Sequence, residues 1–497
     1  MTSAEQGPAP LLAADDIARL RAALTEADYS STGIARLIGD GAVEAVRRND
    51  FRALLRATAE AGRLATLTRL FIAGQTEPVA AVAAALEPLS LDAALTAGLI
   101  EAYGDGLHAA VDLDIYGEPD WWVLSDVDVE SRPGPLRADH VLGIGNAATT
   151  LAGATVRRPV GTALDLGTGC GIQSLHLSTH AGRVTATDLS GRALRFAATT
   201  AALNGLEWEL LAGDLTVPVT GRRFDLVVSN PPFVVGPPTT RYTYRDSGRS
   251  GDAICAELAA AAPALLTEGG TMQYLANWLH VRGEDWQDRV AGWVAGTGCE
   301  AWITQREVSD PVEYVRLWLR DASEPFDPAR AQAWLDWFDA AKVEAIGFGL
   351  VTLRRTEHID PTVRIEELRQ QIEPPLGTHV ADWLTTQDWL RAHSGPSLLD
   401  IRYRRADGLR LTQEAGHDGD DWAVERQILQ QTGGLRWAEE VDPLVLNLVS
   451  GADGTVTARA QLAVLAGAYE TPEPALAAMA GPIVAHLVER GFLVPVS

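Results

Sequence analysis

Asn230, Pro231, Pro232 and Phe233 put an amide, a stiffly held carbonyl and an aromatic ring within four consecutive residues, directly after the apolar run Phe224–Ser229. The Asn230 side-chain oxygen can accept one N–H of a planar nitrogen, and the Pro231 carbonyl can accept the other. Proline locks φ, so the backbone that carries this carbonyl has little freedom. Phe233 can pack on the flat face of the same group. A planar amide or exocyclic amino nitrogen is a poor nucleophile because its lone pair is delocalised. Holding it in line with an electrophile supplies the proximity and orientation it lacks. Standing alone, Asn-Pro-Pro reads first as an ordinary turn.

A second constellation lies upstream. Leu164-Asp165-Leu166 closes an apolar run, and Gly167, Gly169 and Gly171 turn the chain into a helical stretch. Glycine allows positive φ and close approach of backbone to a ligand. The spacing is G-x-G-x-G with Ile172 next, which departs from the G-x-G-x-x-G dinucleotide fingerprint. Asp188 stands twenty-three residues after Asp165, at the end of the run Val184-Thr-Ala-Thr-Asp188. A carboxylate at that point can accept hydrogen bonds from both hydroxyls of a ribose. Asp214 follows a third run in Ala-Gly-Asp-Leu. Asn204, in Ala-Leu-Asn-Gly, reads as a helix cap.

Taken together, these motifs resemble the class I S-adenosylmethionine-dependent methyltransferases, in the branch that methylates planar nitrogens. The resemblance implies S-adenosyl-L-methionine as cofactor. It implies Asp165 near the amino-acid end of that cofactor, Asp188 at the ribose, Asp214 at the adenine amino group, and Asn230 to Phe233 around the acceptor nitrogen. From Asn230 to Leu275 the chain is similar to the glutamine N5-methyltransferases of peptide-chain release factors. The residues concerned are Asn-Pro-Pro-Phe-Val-Val, then Asp246-Ser-Gly-Arg-Ser-Gly-Asp252, then Leu-Thr-Glu-Gly-Gly270. Phe at the fourth motif position is shared with guanine-N2 ribosomal RNA enzymes. The implied acceptor is a protein glutamine amide first and a ribosomal RNA base (guanine N2 or adenine N6) second. A small-molecule N-methyltransferase and a non-catalytic cofactor-binding protein are further readings. Arg241, Arg245 and Arg249 follow the motif at four-residue spacing, suited to a phosphate, a peptide carboxylate, the cofactor or surface acids.

These residues need a scaffold. Between His140 and Arg355 short apolar runs alternate with helical stretches, the pattern of a doubly wound α/β domain. Seven strands are expected: Ala163–Leu166, Arg183–Thr187, Trp208–Leu211, Phe224–Ser229, Thr271–Leu275, Ala301–Val308 and Gly347–Leu353. This Rossmann-like core (135–358) is flanked by mainly helical, winged-helix-like domains at 11–130 and 380–497. In the first, apolar spacing predicts helices through Leu12–Leu24, Phe51–Thr58, Val79–Leu86 and Leu91–Tyr103, then a strand over Leu107–Tyr116 that can pair with Trp121–Ser125. Ser131–Pro135 reads as a linker and 360–397 as a connector. In the last domain, Leu398–Tyr403 and Gly491–Val494 read as strands, and Asp442–Val449, Ala458–Tyr469 and Glu473–Arg490 as helices. The aromatic cluster Trp334, Trp337 and Phe338 reads as packing, and the acidic run Asp418–Asp421 as a solvated loop.

A chain of 497 residues exceeds one hydrophobic core. Its 46% apolar and 22% charged residues suit a soluble globular protein, with no apolar run fit for a membrane and no signal-peptide layout at the N-terminus. Cys170, Cys255 and Cys299 form neither a disulfide framework nor a zinc spacing, and a cytoplasmic setting is expected. No metal site is expected, since the acidic run misses the spacing of a calcium loop. The net charge is −25, and Lys342 is the only lysine. A nucleic-acid binder ordinarily shows a basic footprint, so the charge favours a protein acceptor over RNA.

Overall fold

The computed structural model describes residues 7–60, 62–127, 136–238, 248–321, 327–417, 419, 421–470 and 472–496. Ser131–Pro135, Arg241, Arg245, Asp246, Ser247, Asp418 and Asp420, each singled out in the sequence, lie outside the described residues. The chain divides into two units: Met1–Ala152 with Arg158–Leu368, and Gly153–Arg157 with Arg369–Ser497.

The first unit is built on one large sheet. Its strands are β1 (Val160–Leu166), β2 (Ala181–Asp188), β3 (Glu209–Ala212), β4 (Phe224–Ser229), β5 (Leu266–Val281), β6 (Cys299–Ser309), β7 (Val343–Arg355) and β8 (Val363–Glu367). Across the sheet they run β8-β6-β7-β5-β4-β1-β2-β3. Strands β1 to β5 are parallel, and β7 is antiparallel to both β5 and β6. The sheet therefore has eight strands where seven are expected. The extra one, β8, pairs in parallel with β6 inside the stretch read as a connector. Val-Arg-Ile-Glu-Glu sits at the sheet edge with little burial, so it carries no apolar run. Central strands such as β4 are covered on both faces and are nearly all apolar, as their burial requires.

Helices α1 (Ile172–Leu177), α2 (Gly191–Leu203), α3 (Ala253–Leu265) and α4 (Trp286–Val294) make crossovers of the sheet. Two more, α5 (Pro311–Asp321) and α6 (Pro328–Ala340), stand between β6 and β7. Strand β5 runs on past β4: Ser229 pairs with Tyr274, while β5 continues to Val281 beside Val343 of β7. On this overhang α5 and α6 bury Tyr314, Trp334 and Phe338 with Val235, Leu279 and Ile346. Trp334 and Phe338 are thus packing residues, as expected.

Ahead of the sheet, the amino-terminal helices share one apolar core with α1 and α2. Leu20 and Leu24 of the helix Ala14–Glu26 belong to the same cluster as Ile172, Leu175, Phe196 and Leu203. The expected helix Leu91–Tyr103 is a shorter one, Leu91–Thr96, followed by a strand, Ile100–Tyr103. The break falls at Gly98, whose φ of 70° suits glycine and ends the helix. That strand pairs with Gly106–Ala109, and Asp112–Tyr116 pairs with Trp121–Ser125, so the single strand expected over Leu107–Tyr116 is two.

In the second unit Asp453–Thr457, Arg402–Arg405 and Leu493–Val496 form a three-stranded sheet. Helices Pro443–Gly451, Ala458–Ala468 and Glu473–Glu489 enclose its core around Leu448, Leu462, Val484 and Phe492. Gly395–Asp400 is a 3₁₀ turn, so the strand expected from Leu398 begins at Arg402. The sequence does not announce the hairpin of Leu409–His417 with Trp422–Gln431. Both faces of its outer part meet solvent, which removes the apolar alternation that marks a half-buried strand.

Candidate active site

The strand order reverses between β1 and β4, and in an open α/β sheet the crevice beyond that point is where ligands bind. There the chain leaves β1 through Gly167 (φ 75°), Gly169 (φ 58°) and Gly171 (φ 98°). At Gly171 a β-carbon would lie 2.6 Å from the Trp208 ring, so conformation and space both require glycine. The Ser229 hydroxyl donates to the Leu166 carbonyl at 2.8 Å, tying the end of β4 to the end of β1. Asn230 is thereby held beside the glycine turn.

A cavity of about 390 Å³ opens at this junction, within the range of small-ligand clefts. Gly167, Gly169, Asp188, Asp214, Asn230 and Pro232 all line it. The structure thus gathers residues spread over sixty-five positions of sequence. Asp165, Gly171, Pro231 and Phe233 do not line it.

Asp165 lies under the turn, fully buried. Its Oδ2 accepts from the Thr168 hydroxyl at 2.7 Å and the Ser174 hydroxyl at 2.8 Å, while Oδ1 accepts no hydrogen bond among the described residues. Burial pushes its carboxyl up to about 6, against the two hydroxyl bonds, which favour the charged form. Asp188 accepts from the Gly169 amide at 2.9 Å and the Ser190 amide at 2.8 Å, one on each oxygen. Each oxygen keeps a second lone pair for a ligand hydroxyl. Burial raises its carboxyl above the ordinary value, and the backbone donors oppose that rise. Asp214 is exposed at the mouth, 3.2 Å from Arg249, which also bonds Glu257 at 2.6 Å. Arg249 is therefore paired with acids, one of the roles open to it in the sequence.

Asn230 is half-buried, and its Oδ1 is enclosed yet accepts no hydrogen bond among the described residues. Such an atom costs free energy unless a partner arrives. The Pro231 carbonyl already accepts from the Phe233 amide at 2.7 Å, which leaves it one lone pair for an acceptor. Phe233 meets Trp318 edge to face at 6.0 Å.

One wall of the cavity has no counterpart in the sequence reading. His140 to Gly143 and Gly145 line it, and the Val141 amide donates to Asp126 at 2.9 Å. Asp126 is buried and forked by the Arg192 guanidinium, which fixes that wall to α2. The available signal is Gly143: a β-carbon there would meet the Ser125 hydroxyl at 2.7 Å. Asn204 proves to be more than a cap. It accepts from the Trp122 amide at 3.0 Å and donates to the Trp122 and Thr200 carbonyls at 2.8 and 2.7 Å. Among the described residues no cluster of His, Cys, Asp or Glu could hold a metal ion, and no helix is long and apolar enough to cross a membrane.

Comparison with known proteins agrees with this geometry. Residues 143–282 match the family described as "Methyltransferase small domain". Residues 26–110 and 381–495 match two families described as domains of unknown function, DUF7059 and DUF7782. The ribosomal RNA small subunit methyltransferase C of Alcanivorax borkumensis is 31% identical over 157 residues, which is 31% of this chain and 44% of that protein. The protein of the same description from Salmonella choleraesuis is 34% identical over 125 residues, 24% of this chain and 35% of its own length. The chain thus spans less than half the length of these relatives. Among solved structures, the YcgJ protein of Bacillus subtilis aligns over 43% of this chain and 99% of its own, at 11% identity and a TM-score of 0.31. The α/β core of this chain is a Rossmann-like methyltransferase fold of the S-adenosylmethionine-dependent kind.

Proposed function

We propose that this chain transfers a methyl group from S-adenosylmethionine to a planar exocyclic nitrogen, and that the acceptor is a ribosomal RNA base. The observation that carries the reaction type is Asn230: an enclosed amide oxygen without a partner, in the same cavity as Asp188. The residues present fit the cofactor. The glycine turn gives close backbone approach, and Asp188 keeps free lone pairs for ribose hydroxyls. Asp214 is placed for the adenine amino group, and Asp165, beneath the turn, orients it through Thr168 and Ser174. The cofactor supplies a methyl group made labile by a positive sulfonium. Asn230 and the Pro231 carbonyl accept the two N–H groups of the acceptor and fix its nitrogen. No protein nucleophile is required.

The acceptor class departs from the one ranked first on the sequence. The glutamine reading leaned on the acidic charge and on the stretch from Asn230 to Leu275, of which residues 239–247 lie outside the described ones. What supports a base is identity of 31–34% over 125–157 residues to proteins described as ribosomal RNA methyltransferases. Phe233 is the motif residue that the sequence already shares with guanine-N2 enzymes. The test of the reaction type is Asn230→Ala. Its kcat should fall at least a hundredfold with cofactor affinity unchanged, because the lost contact is to the acceptor. Equal loss of cofactor affinity and folding would make Asn230 a structural turn residue.

A further inference from the structure

The reading above needs the Asn230–Phe233 loop held rigidly; its prolines stiffen it and Ser229 ties its start to β1. Beyond Phe233 the chain must be anchored from elsewhere. The anchor lies on α5. The Tyr314 hydroxyl accepts from the Val235 amide at 2.9 Å and from the Asn277 side-chain nitrogen at 2.9 Å. Val235 is two residues past the motif, and Asn277 stands on the overhanging part of β5. Tyr314, Val235 and Asn277 are all buried, so this oxygen joins three elements away from water. Burial keeps the phenol protonated well above its ordinary value, with the two donors opposing the rise.

Ring contacts repeat the same connection. Tyr314 meets Trp318 edge to face at 6.0 Å, and Trp318 meets Phe233 in the same way at 6.0 Å. At Gly236 a β-carbon would lie 3.2 Å from the Trp334 ring, so α6 presses on the loop as well. From this arrangement we infer that Tyr314 is a positioning residue for methyl transfer. It fixes the acceptor loop through Val235, and the α5–α6 pair is the clamp that presents it. Tyr314 touches neither acceptor nor cofactor in this account. It rests on the reading of Asn230 as the acceptor residue.

The variant Tyr314→Phe removes one oxygen and keeps the ring. Amide hydrogen exchange of the peptide covering Val234–Gly236 should quicken at least tenfold. On an acceptor that the wild type methylates, kcat should fall at least tenfold while cofactor Kd stays within twofold. The comparison variant is Val343→Ala on β7, which disturbs the same apolar cluster from outside the α5–α6 pair and without a polar tie to the loop. It should lower Tm, leave loop exchange unaltered and keep kcat within threefold. Unaltered loop exchange in Tyr314→Phe overturns the inference, as does an equal fall of kcat in both variants. If the wild type transfers no methyl group, loop exchange still decides the role of Tyr314, and the enzymatic reading falls by itself.

Discussion

At the residue scale, three carboxylates at the ends of neighbouring strands do different work because their surroundings differ. Asp188 lines the cavity with one backbone donor on each oxygen. Asp188→Ala should cost about 1.5–3 kcal/mol of cofactor binding, the worth of a hydrogen bond to a charged group. Calorimetry should therefore show Kd weaker by roughly 10- to 150-fold. Unchanged affinity would remove the ribose assignment. Asp165 is enclosed, and its carboxyl stands near 6 instead of 3.8. A native value above the unfolded one means that the fold holds the proton. The stabilisation is complete below about pH 3.8 and is lost as pH rises through about 6. That difference corresponds to about 3 kcal/mol. Asp165→Asn imitates the protonated acid and should remove this component. Its stability relative to wild type should rise between pH 4 and pH 7 in denaturant titrations. A difference that is flat with pH would mean the carboxylate is charged throughout. Asp165 and Asp188 are conspicuous in sequence because both end apolar runs. Their division of labour is not, since burial and hydroxyl partners arise only on folding.

At the element scale, the glycine turn, the parallel strands and the helices α1 to α4 were legible because buried strands and amphipathic helices print their period on the sequence. The elements that escaped are those whose pattern is diluted. Strand β8 and the hairpin Leu409–Gln431 are exposed, and the break at Gly98 interrupts an otherwise helical spacing. The wall from His140 to Gly145 is irregular backbone and has no period at all. Asn204 shows how an element is attached rather than formed. Its side chain makes three hydrogen bonds, two of them to Trp122 on the strand Trp121–Ser125. At about 1 kcal/mol each, Asn204→Ala should lose about 2–3 kcal/mol of stability. Urea denaturation measures this directly, and a loss under 0.5 kcal/mol would reduce Asn204 to an ordinary helix end.

At the scale of the whole molecule, the charge of −25 and the proposed RNA acceptor pull in opposite directions. Several arginines near the core are already engaged: Arg192 with Asp126, Arg249 with Asp214 and Glu257, and Arg289 with Asp252. Each of these arginines already faces a carboxylate. Binding of small-subunit ribosomal RNA should therefore fall gently with salt, with a log–log slope of about −1 to −3. A slope near −10 would point to a basic surface that the pairing pattern does not suggest. The core and several residues of its cavity were readable from sequence because they sit at strand ends in fixed order. Net charge, a sum over the chain, weighed toward a protein acceptor in the sequence, whereas acceptor choice is made by a few residues around one loop. The most direct measurement is transfer of tritiated methyl from S-adenosylmethionine to small ribosomal subunits from cells lacking this chain, followed by separate nuclease and protease digestion. Label released by nuclease, and absent with Asn230→Ala, is the predicted result. Label released only by protease would contradict the RNA acceptor and restore the glutamine reading.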